Sequence, residues 1–263
     1  MNTEKITSAH NPLIKKLVQL SNRQSSRAKN NLTILDGVHL TREYLVKIGK
    51  PELCVVSEGV RSAEVTEILA DCNSRIVRIV EIPKSLFVKV SSVIDGVGIL
   101  FLIKIPEASD VNPFTETLIL ENIQDPGNLG TILRSAAAFG VEQIICSNGT
   151  VSAWSPKVLR AGMGTHFELE IFEKCDLEKA ISQLKIPVFA TSLEADESIY
   201  DENLSISKAW IFGNEGAGVS EAIQKLATKK VKIPHSAKIE SLNVAMAATV
   251  CLSESWRQKY KLK

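Results

Sequence analysis

TLILENIQDPGNLGTILRSAAAFGVEQIICS, residues 117–147, constrains the fold more than any other stretch of this 263-residue chain. TLILEN reads as a buried strand and VEQIICS as a second one. Between them GNLGTILRSAAAFG has helical spacing, with Leu129, Leu133 and Ala136 on one face. Asp125-Pro126-Gly127 turns the chain into that helix, Asn128 can cap its start, and Gly140 is placed to end it. A strand, helix and strand of these lengths form a parallel pair joined by a right-handed crossover. Further strands are expected at IPVFATS, AWIFGN and KKVKIP, a short helix at SPKVLRAGMG, and a closing helix from Leu242 to Lys259. The pattern is that of a doubly wound α/β domain, in which ligands sit beyond the carboxyl ends of the strands.

The stretch KIPEASDVNPFTETL, with two prolines and no apolar periodicity, breaks the chain in two. Residues 1–105 are expected to form a small α/β domain, 106–116 a linker, and 117–263 the larger domain. In the first part LVQLSNRQSSRAKNNL reads as a helix followed by a basic loop. Strands are expected at LTILDG, ELCVVSE, RIVRIV and VGILFLI, and helices at VHLTREYLVKI and SAEVTEILADC. No period of 20–50 residues recurs, which excludes solenoids and propellers.

Charge divides along the same line. Residues 1–105 hold 15 Lys and Arg against 10 Asp and Glu, whereas residues 106–263 hold 16 against 20. The first 50 residues carry 9 basic and 3 acidic groups, an excess that fits a polyanion such as nucleic acid. Arg23, Arg27 and Lys29 in SNRQSSRAKNN are the candidates for tracking a phosphate backbone. The longest uncharged apolar run, Val97–Ile103, is far shorter than the roughly 18 residues of a membrane span, and the N-terminus lacks the apolar stretch of a secretion signal. Five scattered cysteines without a CxxC pair fit reduced thiols of a cytoplasmic protein, and four equally scattered histidines give no metal-binding pattern.

Three loops in the second part carry polar groups at the ends of predicted strands. The first, QDPGNLGTILRSA, contains Asn128 and, less than two helical turns on, Arg134. The second, IFGNEGAGVS, packs Gly213, Gly216 and Gly218 around Glu215. Glycines this dense let backbone approach a ligand. The spacing is neither GxGxxG after a first strand nor a P-loop, and Glu215 would repel a phosphate. A ligand without phosphate, carrying positive charge, suits the loop. The third, IPHSAKIESLNVAMAA, places Ser241 as a candidate N-cap, with Asn243, before an alanine-rich helix. Taken singly, each loop is also explained by capping and turn chemistry alone.

Taken together and in order, the three segments resemble the three signature motifs of the SpoU (TrmH-type) branch of the SPOUT methyltransferases, over about residues 115–258. NPLIKKLVQL and ILDGVHLTREYL resemble the RNA substrate-binding domain fused to ribosomal-RNA members of that branch. The resemblance implies a deep trefoil knot in the C-terminal domain, a homodimer formed through that domain, and S-adenosyl-L-methionine held by the knotted loops. It implies cofactor contacts at Thr191, Gly213, Asn214, Ile233 and Leu242, and a catalytic set of Asn128, Arg134, Glu215, Ser241 and Asn243. The reaction implied is methyl transfer to a ribose 2′-hydroxyl of RNA, ribosomal RNA before transfer RNA, without a metal. Arg134, always protonated, is better suited to hold a phosphate and a developing alkoxide than to take up a proton. His235 and Ala237 depart from the residues usual in the third motif, which bears on the adenine pocket. A non-catalytic RNA-binding or ribosome-assembly factor on the same fold would be marked by loss of Asn128 or Arg134, and both are present. A nucleotide-dependent oxidoreductase lacks its phosphate fingerprint.

Overall fold

The computed structural model describes residues 3–60, 62–91, 93 and 96–261. The chain forms two compact units, Met1–Glu107 with Trp154–Phe167, and Ala108–Ala153 with Glu168–Lys263. Among the described residues no helix is long and apolar enough to cross a membrane.

The first unit runs β1 (Thr3–Lys5), α1 (Pro12–Asn22), α2 (Gln24–Asn30), β2 (Leu32–Asp36), α3 (Val38–Lys47), β3 (Leu53–Ser57), α4 (Ala63–Ser74), β4 (Ile79–Ile82), α5 (Lys84–Val90) and β5 (Ile99–Lys104). Its sheet has the order β1-β4-β3-β5-β2, parallel except where β5 pairs with β2 and β3. Strand side chains alternate between two faces. Ile34, Val55, Val80, Leu100 and Leu102 pack with Ile14, Leu17 and Leu20 of α1 and Leu86, Phe87 and Val90 of α5. On the opposite face Phe101 meets Tyr44 of α3 edge-on at 6.4 Å. The segment expected as a basic loop after α1 is instead the helix α2, ended by Asn31 in the left-handed conformation. The strand expected at Arg75–Val80 begins only at Ile79, because α4 runs to Ser74 and Ile76 turns back with φ of 55°.

The second unit opens with β6 (Thr117–Leu120), α6 (Pro126–Ala138) and β7 (Gln143–Ser147). The stretch Trp154–Phe167, carrying α7 (Pro156–Gly162), belongs to the first unit, where Trp154 C=O accepts from the Thr33 hydroxyl at 2.7 Å. The second unit resumes with β8 (Glu170–Cys175), α8 (Leu177–Gln183), β9 (Val188–Thr191), β10 (Ala209–Phe212), α9 (Glu221–Gln224), β11 (Lys229–Val231) and α10 (Val244–Lys261). All six strands are parallel, in the order β11-β9-β10-β6-β7-β8. The chain builds outward from β6 through β7 to β8, then returns on the other side of β6 with β10, β9 and β11. The direction of winding therefore reverses between β6 and β10, the place where open parallel sheets bind ligands. Leu129, Leu133 and Ala136 of α6 are fully buried, as their spacing requires. Gly140, at φ of 73°, closes the helix by letting Val141 N–H reach the Ala136 carbonyl at 2.9 Å.

Candidate active site

The loops leaving β6 and β10 are neighbours because their strands pair in register, Leu120 opposite Phe212. After β6 the chain turns at Asn122, which has φ of 55°, and enters α6 under an Asp125 cap whose carboxylate accepts from Asn128 N–H at 2.8 Å. Asn128, expected as that cap, is the third helical residue instead, and this frees its amide side chain for other partners.

After β10 the chain makes a closed loop. Asn214 and Gly218 exchange backbone hydrogen bonds of 3.0 and 2.9 Å, and the Asn214 side-chain oxygen accepts from the N–H groups of Gly216 and Ala217. Gly213 makes this closure possible: a Cβ there would lie 2.1 Å from the Gly218 carbonyl. At the tip Glu215 reaches back to the first loop. Its carboxylate accepts from the N–H groups of Gln124 (3.3 Å) and Asp125 (3.1 Å), and from the side-chain amides of Asn128 (3.1 Å) and Asn214 (3.4 Å). Partial burial raises the pKa of this carboxyl, but the hydrogen bonds from Asn128 and the backbone amides outweigh it and hold the group below its ordinary value.

The third loop joins the same network. Asn243 Nδ2 donates to Asn128 Oδ1 at 3.0 Å, and Asn243 Oδ1 accepts from the N–H groups of Ala245 and Met246 at 2.9 and 3.3 Å. Asn243 is therefore the cap of α10. Ser241, expected in that role, lies exposed two residues earlier. The relay from α10 through Asn243 and Asn128 to Glu215 has one direction, because each amide oxygen faces a donor and each amide nitrogen an acceptor. Both asparagines are left with N–H to offer outward.

Thr191, at the end of β9, is half-buried and its hydroxyl donates to the Ile211 carbonyl at 3.5 Å. It pairs with Val231, two residues before the half-buried Ile233, whose carbonyl lies 2.8 Å from His235 Nδ1. Leu242 is half-buried beside Asn243. Thr191 ends β9, Gly213 and Asn214 follow β10, and Ile233 and Leu242 follow β11. Arg134 is exposed on α6, six residues and about 9 Å along the axis from Asn128, and has no hydrogen-bond partner among the described residues.

Two site residues were not singled out in the sequence. Glu121, buried at the end of β6, accepts from Ser220 N–H at 2.8 Å and from the Ser220 hydroxyl at 2.7 Å. Ser220 in turn caps α9 through Ile223 N–H. The glycine loop is thus pinned at its tip by Glu215 and at its exit by Glu121. The sequence signal was a carboxylate directly after an apolar strand, where the sheet would bury it. In the first unit, the basic set is split. Arg23 and Lys29 are exposed, but Arg27 is buried and donates to the carbonyls of Leu20 (2.8 Å) and Ser21 (3.4 Å). It satisfies the end of α1 and is not available to a phosphate backbone.

Residues 116–253 match the model of the SpoU rRNA Methylase family. The chain is 33% identical to a tRNA/rRNA methyltransferase of Synechocystis over 97% of its own length and 94% of that protein. It is 29% identical to the 23S rRNA (guanosine(2553)-2′-O)-methyltransferase RlmP of Bacillus subtilis, covering 94% of this chain and 97% of that one. Among solved structures, an RNA 2′-O ribose methyltransferase superposes with a TM-score of 0.81 at 29% identity, over 97% of this chain and 99% of that one. An AdoMet-bound rRNA methyltransferase from Sinorhizobium meliloti, 24% identical, shares the fold with a TM-score of 0.85 over 97% of this chain and 98% of that one. The chain belongs to the SpoU rRNA methylase family.

Proposed function

We propose that the chain methylates a ribose 2′-hydroxyl of ribosomal RNA with S-adenosylmethionine as donor, at the three joined loops of the second unit. The observation that carries this reading is the single relay linking Glu215, Asn128 and Asn243. The loops fit that donor on two counts. Gly213 lets the loop close on itself with its backbone fixed, and segment 213–220 contains no Lys or Arg, so it suits a ligand without phosphate. Gly213, Asn214, Thr191, Ile233 and Leu242 would hold the cofactor, which supplies an electrophilic methyl group when bound.

The chain's own residues then orient the hydroxyl. Glu215 has four donors on its carboxylate and works by fixing the amide of Asn128, not by taking up a proton. Asn243 has spent its carbonyl oxygen on the start of α10 and offers only N–H, which suits an oxygen gaining negative charge. Arg134 holds the neighbouring phosphate while its guanidinium stabilises the developing alkoxide, so the proton leaves to that phosphate or to water. The exposed Ser241 hydroxyl completes the polar rim. Fixing these groups in advance supplies the remainder as positioning.

Ribosomal RNA as substrate is supported by the name of the Bacillus subtilis relative. A homodimer through the second unit is supported by Met246, Trp256 and Tyr260, large apolar side chains left 49%, 41% and 68% exposed along α10. A trefoil knot in that unit and a cytoplasmic location, consistent with five free thiols, belong to the same reading. The test is transfer of labelled methyl from S-adenosylmethionine to total RNA, followed by mapping of 2′-O-methyl positions in cells with and without the protein. Arg134→Ala should reduce transfer about 100-fold or more while cofactor binding by calorimetry is retained. Equal activity in that variant removes Arg134 from the mechanism, and a methyl mark found only on transfer RNA overturns the substrate.

A further inference from the structure

The two faces of the first unit differ in how they treat their charges. On the face of α3 and α4, cations are neutralised where they stand: Arg42 pairs with Glu64 and Glu67, Lys47 with Glu43, and Arg75 with Asp71. That face also packs internally, with Tyr44 against Phe167 of the returning segment at 5.5 Å. The opposite face is made by α1, α2 and α5, and these helices contain no Asp or Glu. They and the residue joining α1 to α2 carry Lys15, Lys16, Arg23, Lys29, Lys84 and Lys89. None of the six forms an ion pair among the described residues. All are exposed except Lys16, which is half-buried. Arg27, the remaining cation of these helices, is turned inward onto α1 carbonyls and braces α2 against the end of α1.

We infer that the α1–α2–α5 face of the first unit is the surface on which the RNA backbone docks, with Lys15, Arg23, Lys29 and Lys89 as its phosphate contacts. Like charges gathered without acids repel one another and stabilise nothing within the fold. The same charges release condensed counterions when a polyanion lies on them, which is the dominant sequence-independent term in nucleic-acid binding. Lys84 is set apart from this group because it shares a cavity at the end of β3 with Glu58, so that end of the face is closer to neutral. Lys and Arg of the α3–α4 face, already paired, have fewer counterions to give up. The identity of the polyanion as RNA rests on the methyltransferase reading, whereas the charge segregation does not.

Binding of deproteinised ribosomal RNA is measured by fluorescence anisotropy between about 50 and 200 mM salt, the range over which phosphate contacts are lost. A four-site variant, Lys15→Gln, Arg23→Gln, Lys29→Gln and Lys89→Gln, is compared with a control that removes four charges elsewhere on the unit: Arg42→Gln, Lys47→Gln, Arg75→Gln and Arg78→Gln. The first should flatten the slope of log Kd against log salt by roughly 3, and the control by less than 1. Thermal unfolding and calorimetric binding of S-adenosylmethionine should be unchanged in the first variant, which separates docking from folding. Equal slopes for the two variants, while the wild type still methylates RNA, overturn the docking face and leave the methyltransferase reading intact. A slope difference without methyl transfer to any RNA by the wild type upholds the face and sinks the methyltransferase reading.

Discussion

Gly213 shows how much one side chain decides here. Its neighbours across the loop are backbone atoms, Gly218 C and O and Val219 N, all within 2.2 Å of where a Cβ would be. They belong to the reciprocal pair that closes the loop and cannot move without opening it. Gly213→Ala should cost about 1–3 kcal/mol or more in urea unfolding and should abolish cofactor binding, since the loop must open to admit the methyl group. Gly216→Ala is the contrasting case, because the nearest atom to its Cβ would be the Asn214 side-chain oxygen at 3.6 Å, and it should unfold as the wild type does. The density of glycines was legible in the sequence. Which of the three is needed for close packing was not, because the atoms it avoids lie five and six residues further along the chain.

Helix ends carry the site, and there the sequence placed the right residue types one role out of step. Asn128 is the expected cap of α6 and Ser241, with Asn243, that of α10, while Asp125 and Asn243 hold those positions. Any of Asp, Asn and Ser caps a helix well, so propensity does not choose among several close together. The choice follows from what the others are needed for: Asn128 bridges Glu215 and Asn243, and Asp125 is the residue left at the turn. Asn243→Ala should therefore lose about 0.5–2 kcal/mol of stability as a missing cap and lower methyl transfer as well. Ser241→Ala should leave stability within about 0.5 kcal/mol in thermal unfolding, as expected for an exposed side chain that caps no helix. A loss of about 0.5–2 kcal/mol in the serine variant would return the cap to Ser241. Within the first unit the same limit applies to Arg27: the cations nearest it in sequence, Arg23 and Lys29, are exposed, and only its place inside the bend between α1 and α2 turns it inward.

Across the second unit, the end of the sheet opposite the loops is fixed by a buried charge cluster. Lys208, fully buried before β10, donates to Glu116 at 2.9 Å and to the Ile206 carbonyl, and Lys259 of α10 pairs with the same carboxylate. Burial lowers the Lys208 pKa, opposed by Glu116. Glu116→Gln leaves two cations facing each other with one out of water, and should cost about 3–5 kcal/mol in urea unfolding. Lys208→Met leaves Glu116 its second partner and should cost clearly less; the reverse order would mean that the cluster is not held by its carboxylate. The α/β class, the parallel sheet, the buried face of α6 and the three polar loops were all determined by the sequence, because apolar period and turn chemistry act over a few residues. The joining of those loops, the inward turn of Arg27, the capture of Ser220 by Glu121 and the membership of Trp154–Phe167 in the first unit were decided only by the tertiary structure. Each is a contact between residues far apart in the chain, fixed by strand order and sheet face, and neither quantity is written in any local pattern.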